Sequence, residues 1–195
     1  MTTETISLPR ESEKQRVNVT LGMILFIGSW SMSFGTIFLA FAVLRQKMEV
    51  FPPEGIVLPS FNLAASATLV LLASSFVLHR AIKQGRAGQA EFARTWGIGI
   101  VLGLLFASLQ ASLWLDLMRA HRFAHSGPYE SLFFGLTWIH ALHVVIGLLA
   151  LCVGLVGIKR GRYGRHRIST VNNIAIFWHF VDVVWVILFL GFFVF

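Results

Sequence analysis

Long apolar runs alternate with short polar clusters along the whole chain. Five of these runs are long enough to cross a bilayer as a helix, which takes about 20 mainly apolar residues. They are 19–44 (Val19–Leu44), 60–81 (Ser60–Ala81), 96–117 (Trp96–Leu117), 131–157 (Ser131–Gly157) and 171–194 (Val171–Val194). All five prolines (Pro9, Pro52, Pro53, Pro59 and Pro128) fall outside them. That favours unbroken helices, because an internal proline removes a backbone donor and clashes with the preceding turn. The pattern predicts an all-α fold, an integral membrane bundle of five transmembrane helices. It forms a single domain over residues 1–195, opened by a polar tail at 1–18.

Composition sharpens this picture. Of 195 residues, 56% are hydrophobic and 13% charged, about half the charge of an average soluble domain. The net charge of +7 could suggest a nucleic-acid partner, but its distribution argues against one. Twelve of the 16 Lys and Arg lie in the N-terminal tail, the second loop and the fourth loop, and four lie on the other side. By the positive-inside rule, the N-terminus is cytoplasmic and the C-terminus periplasmic. The start "MTTETISLPRESEKQRVNVT" lacks the basic, apolar and small-residue order of a signal peptide, so it reads as a cytoplasmic tail. The single cysteine, Cys152, excludes an internal disulfide and a cysteine-based metal site.

An ionisable side chain inside a span is costly and marks function. His140 and His143 share a face of the fourth span, and His179 and Asp182 share a face of the fifth. Three readings follow. The four could form one interhelical hydrogen-bond cluster, or clusters at different depths, with Asp182 accepting from a histidine N–H. Histidines on two helices could ligate haem iron. A His/Asp pair could relay protons. The haem reading wants matched depths. If the fourth helix runs inward and the fifth outward, His140 and His179 are offset by several ångströms. A relay wants further titratable groups, and the inner half of the third span offers none. No nucleophile elbow, phosphate loop or metal-ligand cluster appears.

The third span carries Gly99, Gly103, Ala107 and Ala111 at intervals of four, and the second carries Ala64, Ala67 and Ser75. In lipid, such small-residue faces let helices approach closely. Trp178 and Trp185 flank Asp182 and read either as packing with a satisfied indole N–H or as contacts to acyl chains. The unbroken spans disfavour a transporter.

Several segments resemble one family. "FWHFVDVVW" (177–185) is similar to the C-terminal signature of subunit III of haem–copper respiratory oxidases. "YESLFFGLTWIHALHVVIG" resembles that family's preceding helix, with Thr137, His140, His143 and Gly147 in place. The first span resembles its opening helix through Ser29, Met32, Phe34, Gly35 and Arg45. "LPSFNLAASATLVLLASS" and "LGLLFASLQASLW" resemble the next two, so the likeness covers residues 20–195.

The resemblance implies a multi-pass subunit of a bacterial inner membrane without haem or copper of its own, those centres lying in subunit I. It implies partners in subunit I and other oxidase subunits, bound phospholipid, and support for proton uptake and turnover. An accessory subunit of nitric oxide reductase shares the fold, and a haem b anchor is the rival from another class. Under this resemblance Arg45, Arg80 and Arg160 become candidates for lipid phosphate, and Trp178 and Trp185 for acyl chains. The sequence departs from the family where it commonly has glutamate: these positions read Trp30, Leu113 (after Gln110) and Asn172. A role carried by those carboxylates is not transferable here.

Overall fold

The structure, a computed structural model, describes residues 13–47, 60–119, 127–163 and 168–194. Among these the chain is entirely helical. The elements are α1 (Glu13–Gln46), α2 (Phe61–Ala87), α3 (Phe92–Arg119), α4 (Pro128–Lys159) and α5 (Ser169–Phe189), which runs into a π-helical turn at Leu190–Val194. All five are long and apolar enough to span a membrane. Each extends past the predicted run at one or both ends. α2 continues six residues beyond Ala81 through Lys83, Gln84 and Arg86. Polar residues end a hydropathy run, but the helix itself continues, because in-helix bonds still satisfy its backbone. α1 begins inside the predicted tail 1–18, whose first twelve residues lie outside the described part. Arg10, Arg122, Arg165 and Arg167, which contribute to the charge asymmetry, also lie outside it.

The ends are chemically simple. Pro128 occupies the first turn of α4, where its missing N–H is no loss. α2 closes on Gly88 at φ 70°, a left-handed conformation that glycine adopts without a Cβ penalty. The Gly88 and Gln89 N–H groups then return to the carbonyls of Gly85 and Gln84 at 3.2 and 3.0 Å. That turn sends the chain straight back as α3.

α2 packs on α3, α3 on α4, α4 on α5, and α5 back on α2, while α1 leans on α4 and α5 from outside. One core fills the four-helix bundle around Leu71, Leu78, Trp96, Phe106, Leu151, Trp178 and Trp185. A second joins α1 to the start of α4 and the end of α5 through Phe34, Phe41, Phe133, Phe134, Leu188 and Phe192. Phe34 and Phe41 are the buried side chains described on α1. Its exposed hydroxyls at Ser29, Ser31, Ser33 and Thr36 each donate to a carbonyl one turn back, at 2.8–3.3 Å. No hydroxyl proton there is left bare toward an apolar surround.

Candidate functional site

Asp182 and His179 point from α5 toward α2. Nδ1 of His179 shares a hydrogen bond with Ser75 Oγ and lies 3.6 Å from Asp182 Oδ2. Asp182 is buried beside both His179 and the Ser75 hydroxyl. The histidine–aspartate pair is therefore tied to α2. The sequence left open whether these four residues form one interhelical cluster, and the packing divides them. Among the described residues no hydrogen bond joins His179 or Asp182 to α4.

His140 is fully buried and stacks on Trp185, ring centroids 5.4 Å apart, with Phe106 edge-on at 6.2 Å. Neither of its ring nitrogens has a partner among the described residues. His143, one turn along, faces α1 instead. Its Nδ1–H donates to the Ile139 carbonyl at 2.7 Å. A carbonyl can only accept, so the proton sits on Nδ1 and Nε2 carries the lone pair. Around that ring stand Trp30 at 4.2 Å, Phe34 at 5.3 Å and Phe177 at 6.4 Å. Trp30, which occupies one of the positions expected to hold glutamate, meets His143 edge to face.

Trp178 and Trp185 sit inside the protein. Trp185 Nε1 donates to Thr68 Oγ1 at 3.0 Å, and Thr68 Oγ1 donates on to the Ala64 carbonyl at 2.9 Å. Trp178 is buried to 0% exposure and fills a slot lined by two glycines. A Cβ at Gly103 would come within 2.9 Å of its ring, and one at Gly147 within 2.8 Å. Neither indole has surface to offer an acyl chain in this fold, because helices α2 to α4 enclose both. Two further bonds cross the bundle. Ser74 Oγ donates to the Gly99 carbonyl at 2.9 Å, and Trp96 Nε1 to the Leu151 carbonyl at 2.9 Å.

The small-residue ladder on α3 is spent within the chain. Gly99 takes Leu78 of α2, while Gly103 takes Leu148 of α4 and Trp178 of α5. Ala107 is half-buried and Ala111 exposed. The ladder therefore serves several neighbours inside this subunit, and its glycines are closed to another one.

Of the arginines, Arg45 donates from Nη1 to the Gly191 carbonyl at 3.0 Å, in the π-helical turn. Arg80 and Arg160 are exposed near helix ends. An apolar groove lies beside Arg45 between α1 and α5. One part, about 260 Å³, is lined by Ser31, Phe34, Gly35, Phe180, Val183 and Leu188. A neighbouring part of about 340 Å³ reaches Ala42, Arg45 and Gly191. Phe38 and Ile187 border both parts.

Sequence reasoning did not assign roles to the Ser75, Thr68 and Ser74 hydroxyls or to the Gly147 slot. A hydroxyl on an otherwise apolar span was the available signal, since it must find an acceptor there.

Comparison with known proteins fits this architecture. The family model for cytochrome c oxidase subunit III matches residues 2–195. The chain is 35% identical over 176 residues to the cytochrome c oxidase subunit 3 of Thermostichus vulcanus, covering 87% of this chain and 83% of the relative. It is 30% identical over 196 residues to a probable cytochrome c oxidase subunit 3 of Nocardia farcinica, covering 96% of each. It is also 30% identical over 184 residues to the quinol oxidase subunit 3 of Bacillus subtilis, covering 93% and 88%. With a full-length family match and relatives covered over most of their length, this five-span chain belongs to the cytochrome c oxidase subunit III family.

Proposed function

We propose that this chain is a non-catalytic, lipid-binding subunit of a bacterial haem–copper terminal oxidase, seated in the cytoplasmic membrane with its N-terminus inside. In this reading it stabilises the catalytic subunit I and supports proton uptake and turnover. The observation that carries the reading is where the buried polar chemistry goes. Four side chains bond across to another helix: Ser74 to α3, Ser75 to His179 of α5, Trp96 to α4 and Trp185 to α2, while the buried Trp178 indole N–H has no partner among the described residues. In an apolar solvent such bonds hold helices together where hydrophobic burial gives little drive.

The groove between α1 and α5 supports the lipid part. Its walls are apolar, its two parts suit an acyl chain, and Arg45 stands at one end near the helix termini, where a lipid phosphate lies. A membrane anchor binding haem between α4 and α5 would want a histidine of each helix turned toward the other. His140 does face α5, where it stacks on Trp185, but His179 turns away from α4 to Ser75 of α2.

The test is affinity purification of the intact complex from native membranes. The expected result is co-purification with a haem–copper subunit and phospholipid retained in a fixed ratio to this chain. A complex lacking any haem–copper subunit would overturn the assignment, and complete absence of retained phospholipid would overturn the lipid role.

A further inference from the structure

His179 has two nitrogens, and only one is used inside the chain. Nδ1 is turned in toward Ser75 and Asp182. Nε2 makes no hydrogen bond to any described residue and is not among the buried nitrogens. The side chain is 37% exposed. It stands on a stripe of α5 whose other members, Ile176, Val183, Ile187 and Leu190, are all exposed and apolar. Val183, Ile187 and Leu190 also border the groove against α1, whereas Ile176 and His179 stand beyond its lining.

Depth decides what can meet that nitrogen. His179 lies about 15 Å along the helix from Ser169 and about 22 Å from Val194, at 1.5 Å per residue. It is therefore within a few ångströms of the middle of the span. The polar atoms of a lipid begin at the edge of a hydrocarbon layer about 30 Å thick, so they stop about 15 Å short of it. A polar nitrogen facing hydrocarbon at this depth is costly, and a neighbouring helix removes the cost.

We propose that the α5 stripe around His179 is the docking face for a transmembrane helix of a partner oxidase subunit, and that this helix brings a polar group that hydrogen-bonds His179 Nε2. This rests on membership of a multisubunit oxidase and names the contact by which the subunits meet. Ser75 and Asp182 hold Nδ1, so Nε2 is the nitrogen left for the partner. A hydroxyl or a side-chain amide, each able to donate and to accept, matches the ring in either tautomer.

Two isosteric substitutions separate the two nitrogens. Asparagine places its amide nitrogen near the Nδ1 position, keeping the link to Ser75 while lacking reach. Glutamine extends to the Nε2 position and gives up the inner link. In the purified complex, His179→Asn should raise the apparent dissociation constant of this chain about three- to thirtyfold, the span of a single hydrogen bond between membrane helices. His179→Gln should hold it within about twofold. The reverse pattern, Asn retained and Gln lost, would make the imidazole a purely internal strut and overturn the proposal, as would both variants binding like wild type. If both are lost, a photo-crosslinker at Ile176, on the same stripe and outside the groove beside α1, decides. Adducts to a partner subunit uphold the docking face. Adducts only to phospholipid overturn it. In each failing case a complex that still contains the haem–copper subunit leaves the family assignment standing.

Discussion

Ser75 and Asp182 approach the same nitrogen of His179 from two helices, so each should matter out of proportion to its size. Ser75→Ala removes one of the hydrogen bonds between α2 and α5 and is expected to cost about 0.6–2 kcal/mol, the range for hydrogen bonds between membrane helices. Asp182→Ala removes the buried acceptor beside Nδ1 and should cost about 1–3 kcal/mol. Thermal melting of the purified complex checks both, and melting points unchanged from wild type would show that neither contact holds the helices. The chemistry of these residues was legible in the sequence, since a histidine three positions before an aspartate in an apolar run has to find company. The identity of that company was not. Spacing along one helix says which side chains share a face, and nothing in it says that α2 is the helix opposite. The same gap applies to His143, whose aromatic surround comes from Trp30 and Phe34 on a helix over a hundred residues away.

At the scale of elements, glycine positions sort into those that receive a neighbour and those that do not. Gly103 and Gly147 form the slot for Trp178, and an added Cβ would meet its ring at 2.9 and 2.8 Å. Gly103→Ala and Gly147→Ala should each destabilise by about 1–3 kcal/mol, the usual penalty for overpacking. Gly97→Ala, where nothing lies within 4 Å, should stay within about 0.5 kcal/mol. Equal melting points for all three would contradict the slot. The spacing of Gly99, Gly103, Ala107 and Ala111 revealed a packing feature on α3. Its division among three neighbours is set by the closed ring of α2, α3, α4 and α5, which periodicity does not encode. Helix number and type were fully readable, because about 20 apolar residues have one stable form in a bilayer. Helix ends were not, because polar residues at the interface continue the helix while ending the hydropathy signal.

The molecule as a whole is a four-helix bundle with a fifth helix applied to its side. α1 is fastened near its C-terminal end. Gly191 admits Phe38, whose ring would lie 2.7 Å from an added Cβ, and its carbonyl receives Arg45. Gly191→Val should displace Phe38 and loosen α1 while the bundle of α2 to α5 keeps its melting point. Lipid-phase labelling of a probe on α1 would report this as increased access at position 38, and unchanged access would mean that α1 is held elsewhere. The central claim is that this subunit's buried polar groups hold helices and lipid beside a redox-active neighbour and bind no redox centre themselves. Its most direct test is to strip this chain from the purified oxidase with detergent and measure haem and copper per catalytic subunit before and after. The account predicts an unchanged ratio and a separated chain without a Soret band. Haem or copper leaving with this chain would contradict it.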